Sequence, residues 1–212
     1  MEGNTELVKR SYSFAVRAEE GAEGHIITGR PIVYESRADL YWYDEIIERG
    51  ALDGADLTDV RFLVNHDINR IPLARARRDA ANSTMQLLTD HDGMTIRVSL
   101  DTENNADARS LYSAVKRGDI TGMSFMFKIS DEEWEDLDTD HPTRRIKAIS
   151  SVIEVSAVTF PAYKSTEINA RDEGTADSTR SALERARRSR RAAENGDLEL
   201  LKEKAKILGG IL

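Results

Sequence analysis

The stretch Val152-Ile-Glu-Val-Ser-Ala-Val158 sets a carboxylate inside an apolar run that has the character of a β-strand. Apolar side chains occur at both odd and even positions, which is typical of a central strand covered on both faces. Burying an unpaired carboxylate in such a strand costs on the order of several kcal/mol, so Glu154 needs a partner or a proton. A histidine that donates a hydrogen bond would meet this need. An ion pair with Arg75 or Arg97 is the structural alternative.

A histidine follows a second strand-like run, Phe62-Leu-Val-Asn-His-Asp67. His66 continues the period of two set by Phe62 and Val64, so it shares their face of the strand. Imidazole changes its charge near neutral pH, which suits a general base. A histidine that is merely hydrogen-bonded to its neighbours in the core fits the same pattern, and both interpretations stay open.

A serine lies in the third run, Gly122-Met-Ser-Phe-Met-Phe127. Ser124 alternates with Phe125 and Phe127, so it faces the opposite side of the strand. The residue at 126 is Met, so the run lacks the second glycine of the α/β-hydrolase elbow Gly-x-Ser-x-Gly, and that fold fits poorly. A serine, a histidine and a carboxylate are nevertheless the parts of an acyl-transfer triad. We therefore predict a serine hydrolase with Ser124, His66 and Glu154 as catalytic residues.

The first 170 residues have the pattern of a mainly β domain with peripheral helices, an α+β fold. One helix is predicted over 106–116 and ends at Gly118, which suits the left-handed residue after a helix. The acidic stretch 131–140 is predicted to be a solvated loop. Strands are predicted at 7–16, 25–34, 62–65, 71–76, 85–88, 94–100, 123–129 and 145–160.

The composition changes after Pro161, and we assign residues 171–212 to a charged helical tail. Ser181-Ala-Leu-Glu184 has the spacing of a capping box, and Asn195-Gly196 predicts an interruption before a second helix. Too few apolar residues are present for the tail to fold alone, so it is expected to dock on a partner or to stay partly disordered. The apolar face of the second helix consists of Leu198, Leu201, Ala205 and Leu208.

Composition excludes several classes of function. The chain of 212 residues has no cysteine, so disulfides and thiolate chemistry are excluded. The net charge is −8; the tail carries +2 and the first 170 residues carry −10, which argues against nucleic acid as a partner. His91 and His141 lack the paired spacing of a zinc site, so we expect neither a metal nor a cofactor. A signal peptide and a long apolar run are both missing, which predicts a cytoplasmic protein with no membrane partner.

Five blocks of the sequence together resemble the HK97-type prohead proteases, the capsid maturation proteases of tailed bacteriophages. They occur in the family's order and cover most of residues 5–170, and the last block is the most specific. The blocks are Gly29-Arg-Pro-Ile-Val-Tyr34, Glu45-Ile-Ile-Glu-Arg-Gly-Ala51, Asn65-His-Asp67, Gly118-Asp-Ile-Thr-Gly-Met-Ser-Phe125 and Glu154-Val-Ser-Ala-Val-Thr-Phe-Pro-Ala-Tyr163.

The resemblance implies a serine endopeptidase that acts inside the immature head, in the host cytoplasm. Its implied substrates and partners are the major capsid protein with its scaffolding segment, and the chain itself through self-association and self-cleavage. The implied fold is a closed antiparallel β-barrel similar to that of herpesvirus assemblin. The family order of histidine, serine and third member falls on His66, Ser124 and Glu154.

Two finer expectations come from the same resemblance. Backbone amides near Arg144 and Arg145 are the candidates for the oxyanion hole. Family members often have Leu-Gly-Arg after the His-Asp pair, whereas this chain has Leu73-Ala-Arg75, and the alanine would tighten the backbone beside the substrate groove.

Three interpretations of function follow. In the first, the chain is the protease, and its tail anchors it to scaffold or shell until self-cleavage removes the tail. In the second, the chain is a noncatalytic barrel that binds capsid protein as a scaffold. In the third, Arg185-Ala-Arg-Arg-Ser-Arg-Arg191 binds nucleic acid, which the acidic body disfavours.

Overall fold

The computed structural model describes residues 7–12, 16–21, 24–159 and 173–209 of the chain. They form eleven strands, two α-helices and a short 3-10 turn at Ala80–Asn82. The strands are β1 (Leu7–Tyr12), β2 (Arg17–Gly21), β3 (Gly24–Val33), β4 (Arg37–Asp39), β5 (Asp44–Ile47), β6 (Asp59–Val64), β7 (Ala74–Arg77), β8 (Met85–Asp90), β9 (Gly93–Leu100), β10 (Gly122–Glu135) and β11 (Thr143–Val158); the helices are α1 (Ala106–Arg117) and α2 (Glu173–Gly209).

Strand β11 is the centre of a seven-stranded sheet, as its apolar sequence predicts. It pairs antiparallel with β10 along one edge, and on its other edge it pairs parallel with β5 and then with β6. The order is β1-β10-β11-β5-β4, and β6 joins β7 to the edge of β11. Val152, Val155 and Ala157 are buried on this strand, so the prediction of a covered central strand is confirmed.

A second sheet packs against the first. It has the antiparallel order β2-β3-β9-β8. Residues of both sheets share one hydrophobic cluster, with Phe62 and Phe125 from the first sheet and Ile27 and Val98 from the second. Helix α1 packs against β2, β3 and β9 of the second sheet, with Leu111 and its neighbours facing the core. The core therefore lies between the two sheets and beneath this helix.

The expected closed barrel is not supported, although the broader prediction of a mainly β fold with helices holds. Within the described ranges the strands form two sheets, and neither closes on itself. Between β7 and β8, Thr84 N donates to Arg75 O at 3.0 Å, and Arg77 N donates to the side chain of Ser83 at 2.8 Å. Asn82 and Asp79 bond to each other within the intervening turn instead, so no ladder forms there.

Helix α1 begins and ends as its sequence predicts. The side chain of Asn105 accepts hydrogen bonds from the backbone N–H groups of Asp107 and Ala108, which satisfies two free donors of the first turn. Gly118 ends the helix with a φ of 80°, a left-handed conformation that costs glycine little. The predicted helix over 106–116 is therefore confirmed.

The acidic stretch 131–140 is only partly a loop, so that prediction is wrong for its first half. Strand β10 continues through Glu135, and Trp134 is buried against the body. Basic residues of β11 lie opposite: Lys147 Nζ is 2.9 Å from Glu133 Oε2, and Arg144 pairs with Glu132. Opposite charges across neighbouring strands stabilise the pairing, which the acidic sequence alone does not reveal.

The tail is one helix of 37 residues rather than two, so the predicted interruption at Asn195-Gly196 is wrong. Glycine costs only about 1 kcal/mol in a helix and asparagine less, which the good helix formers on both sides offset. Ala182 and Leu183 pack against Tyr43 and Trp134, whereas Leu198 and Leu201 remain exposed. The side chains of Ala205 and Leu208 lie outside the described part of the chain, as does the boundary expected at residue 170.

None of the helices among the described residues has the length and apolar character required to cross a membrane.

Candidate active site

Strand β10 carries Ser124 at its start, in the middle of the larger sheet. Ser124 lies opposite Ser156 of β11 and is 0% exposed. Phe125 and Phe127 point together into the core, with their ring centres 4.7 Å apart. Their burial fixes the alternation of the strand and so fixes the face on which the Ser124 hydroxyl lies.

His66 stands in a tight turn that ends β6. Asn65 and His66 have φ values of 52° and 59°, in the left-handed region that residues other than glycine seldom adopt. The side-chain amide of Asn65 holds the turn by donating to Thr159 Oγ1 at 3.1 Å and accepting from Thr159 N at 2.9 Å. Asp67 N donates to Val64 O at 3.1 Å and closes the turn, which directs the imidazole back over the sheet.

The imidazole of His66 bridges the other two predicted residues. His66 Nδ1 lies 2.5 Å from Glu154 Oε1, and His66 Nε2 lies 2.5 Å from Ser124 Oγ. Glu154 is 1% exposed, and the His66 side chain, which is 15% exposed, connects this buried group with solvent. The parallel pairing of β6 with β11 produces the contact, since Val64 lies opposite Ala157.

In the described part of the chain, Glu154 pairs with His66 rather than with Arg75 or Arg97. Its second oxygen, Oε2, accepts a hydrogen bond from Ser156 Oγ, and Arg75 pairs with Asp59 at 2.6 Å. The sequence predicts a partner for this carboxylate, and the structure supplies His66 and Ser156 on its two oxygens. The catalytic role of the three residues stays a prediction.

Ser156 is the residue of this cluster that our sequence analysis missed. Its hydroxyl donates to Glu154 Oε2 at 2.5 Å and accepts from the backbone N–H of His66 at 3.1 Å. The residue is 0% exposed. A signal was present in the sequence, because residues 154 and 156 are two apart on a strand and must share a face.

The pairing of β10 with β11 does not support the expectation that backbone amides near Arg144 and Arg145 form the oxyanion hole. Arg144 lies opposite Trp134, ten residues from Ser124 along β10, which amounts to about 33 Å for an extended strand. Arg144 is fully buried and holds the tail instead: its Nη1 lies 3.6 Å from Glu45 Oε2 and 3.4 Å from Thr179 Oγ1 of α2.

One cluster of titratable side chains and two surface clefts contain no residue of the predicted triad. Asp39, Asp44 and His141 come together with His141 Nε2 3.3 Å from Asp44 Oδ1, and Arg37 neutralises Asp44 at 2.8 Å. Two clefts beside α2 are both bordered by Asp140 and Arg187, and no triad residue lines either of them. We regard these clusters as structural.

The order of contact from hydroxyl to imidazole to carboxylate is the arrangement that serine hydrolases use for acyl transfer. The sequence of this chain matches a known family over residues 12–180. The chain belongs to the caudovirus prohead serine protease family. It is accordingly a serine protease of the phage prohead.

Comparison with solved structures gives a match to the capsid assembly protease gp21 of bacteriophage T4. The two chains share 13% sequence identity, and the match covers 74% of this chain and 99% of the T4 chain with a TM-score of 0.49. No curated protein sequence matches this chain.

Proposed function

We propose that the chain is the endopeptidase that cleaves capsid and scaffolding proteins during maturation of the phage head, with Ser124, His66 and Glu154 as its catalytic triad. The observation that carries this proposal is the imidazole of His66, which contacts Ser124 Oγ and Glu154 Oε1 through its two nitrogens. Membership of the prohead serine protease family supports the reaction class.

Each group has a defined role in the proposed mechanism. Glu154 accepts from His66 Nδ1–H and so holds the tautomer in which Nε2 is free to accept a proton. Ser124 Oγ loses its proton to Nε2 as it attacks the scissile carbonyl. The imidazolium, stabilised by the Glu154 carboxylate, then protonates the leaving amine, and water attacks the acyl-enzyme by the same route.

Membership of the prohead protease family supports a proposal about the substrates and the setting of the reaction. We propose that the enzyme acts on the major capsid protein and its scaffolding segment inside the prohead, in the host cytoplasm, and that it self-associates there. Helix α2 supplies an anchor in this proposal, because it extends from the body after Glu194 with Leu198 and Leu201 exposed. Removal of this segment by self-cleavage would release the enzyme from its anchor.

One observation favours a second function, that of a noncatalytic scaffold which binds capsid protein. Ser124 has no exposed surface, so a peptide reaches its hydroxyl only after the covering groups move. In the scaffold alternative the three polar residues only stabilise the sheet. The two proposals differ in one property, the dependence of cleavage on the Ser124 hydroxyl.

Intact-mass spectrometry of the purified chain over time, with and without its capsid protein, distinguishes the two. We expect discrete truncations of capsid protein or of the chain in the wild type, and none with Ser124→Ala. Ser150→Ala is the matched control, because Ser150 Oγ donates only to Lys128 O in the same hairpin. Uncut masses with capsid protein present, or cleavage that persists in Ser124→Ala, would overturn the protease assignment.

A further inference from the structure

The hydroxyl of Ser156 joins the two segments of chain that hold the base and the carboxylate. It donates to the Glu154 side chain on its own strand and accepts from the His66 backbone in the turn after β6. Both bonds are formed by one buried oxygen. Movement of the turn and rotation of the carboxylate are therefore coupled through this atom.

The carboxylate requires such a donor. Glu154 is buried, and His66 contacts only one of its two oxygens. Without Ser156 the oxygen Oε2 would lose a charge-assisted hydrogen bond in a region from which water is excluded, and such bonds are about twice as strong as neutral ones. The carboxylate could then rotate about its terminal bond and turn away from the imidazole.

The backbone of His66 also requires a contact that holds it in place. Its φ of 59° is unfavourable for a residue with a side chain, and such conformations persist only where neighbouring contacts fix them. The bond from His66 N to Ser156 Oγ at 3.1 Å is one of those contacts. Asn65 supplies further contacts, because its side chain bonds to Thr159 and its backbone N–H donates to Ala157 O at 3.0 Å. The side chains of Ser156 and Asn65 therefore both hold the turn against the end of β11.

We propose that Ser156 is a positioning residue of the active site, which acts through Glu154 and His66 and makes no contact with substrate. The inference rests on the proposed function, because it assigns the two residues it positions to the triad. Other hydroxyls on β11 do not have this connectivity: Ser150 Oγ donates to the Lys128 carbonyl and stays within the hairpin.

Kinetics of Ser156 variants on a peptide taken from a mapped cleavage site test the proposal. We expect Ser156→Ala to lower kcat about 10- to 100-fold with little change in KM, since misplacing a catalytic group by 1 Å costs about 100-fold in rate. Ser156→Cys is only slightly larger than serine but donates weakly, so it should behave like Ser156→Ala. Ser156→Thr keeps the hydroxyl and should recover most of the lost kcat.

A double-mutant cycle separates positioning from a general structural effect. Because Ser156 acts partly through Glu154, Ser156→Ala should lower kcat clearly less when Glu154→Gln is already present than it does in the wild type. Full multiplication of the two losses would overturn the proposal. So would a wild-type kcat in both Ser156→Ala and Ser156→Cys.

Two further variants distinguish a failure of the positioning role of Ser156 from a failure of the proposed function. Ser150→Ala, on the same strand, should keep the kcat of the wild type. Ser124→Ala should abolish cleavage; if it does not, the proposed function fails, whatever Ser156 does. Abolished cleavage in Ser124→Ala together with an unaffected Ser156→Ala would remove the positioning role alone.

Discussion

At the scale of single residues, the site depends on a turn of two left-handed residues at the end of β6. Asn65 and His66 both have positive φ, and asparagine and histidine are among the side chains that tolerate this conformation best. The turn reverses the chain within two residues while the imidazole stays over β11. The stability of this turn therefore limits how well the base is placed.

Replacing Asn65 separates its two contributions to the turn. Asn65→Ala loses both hydrogen bonds to Thr159, each worth about 0.5–1.5 kcal/mol, and alanine also disfavours left-handed backbone by about 1–2 kcal/mol. Asn65→Gly loses the bonds but adopts positive φ readily. In urea unfolding we expect Asn65→Ala to be the less stable of the two. Equal stability of the two variants would show that backbone strain is not the cause.

Glu154→Gln tests the orienting carboxylate. The amide keeps the size of the side chain but can present an N–H₂ group to the imidazole and favour the wrong tautomer. We expect kcat on a cleavable peptide to fall by about 10²–10⁴-fold, in the range found for such residues. The matched control is Glu133→Gln, which removes a carboxylate on the surface of β10 that pairs with Lys147. A wild-type kcat in Glu154→Gln would exclude Glu154 from the triad.

At the scale of elements, the sequence predicts those strands and helices whose own residues determine them. The apolar run of β11 and the caps of α1 are examples. Strand β5 was missed because Asp44 and Glu45 are buried there, where they pair with Arg37 and Arg144. The partners are distant in sequence, so no local pattern shows them.

The features of the candidate site likewise divide into those that local sequence predicts and those that depend on distant parts of the chain. Ser124, His66 and Glu154 were predicted because each is a polar residue in or next to an apolar strand, and the i, i+2 spacing from Glu154 to Ser156 could have revealed the fourth. The oxyanion hole and the barrel were predicted by family analogy instead. Both depend on how far strands run and where sheet edges meet, and neither property is local.

Helix α2 contacts the body along its N-terminal half, as far as Arg190, which pairs with Asp138. Leu183 is buried against the cluster around Trp134, so Leu183→Ala should cost about 2–3 kcal/mol in unfolding free energy. Leu201, on the same helix, is 62% exposed, and Leu201→Ala should change it by less than about 0.5 kcal/mol. Urea unfolding followed by tryptophan fluorescence measures both. Equal effects would mean that the helix does not pack on the body.

At the scale of the whole molecule, paired surface carboxylates make stability depend on acid. The hydrogen bond with Arg30 lowers the pKa of Asp90 to about 2, and hydrogen bonds with Arg75 and Lys147 lower the pKa values of Asp59 and Glu133. A carboxyl whose pKa is lower in the folded state stabilises the fold above its unfolded pKa and ceases to do so as pH falls through the folded value.

We therefore expect the urea midpoint to fall as the pH is lowered from 5 towards 2, and to fall less in Asp90→Asn. The Arg30 and Asp90 side chains are partly exposed, so 0.5 M salt should weaken the dependence. A midpoint that rises on acidification, or an identical slope in Asp90→Asn, would contradict this assignment.

The parallel pairing of β6 with β11 also determines the stage of folding at which the candidate site forms. His66 meets Ser124, Glu154 and Ser156 across separations of 58, 88 and 90 residues. Contacts of such range form late, because a long loop must close before they stabilise anything. Until β11 docks, the predicted nucleophile Ser124 and the predicted base His66 lack the strand that aligns them. If the proposed function is right, the chain therefore cannot cleave anything before this strand is in place.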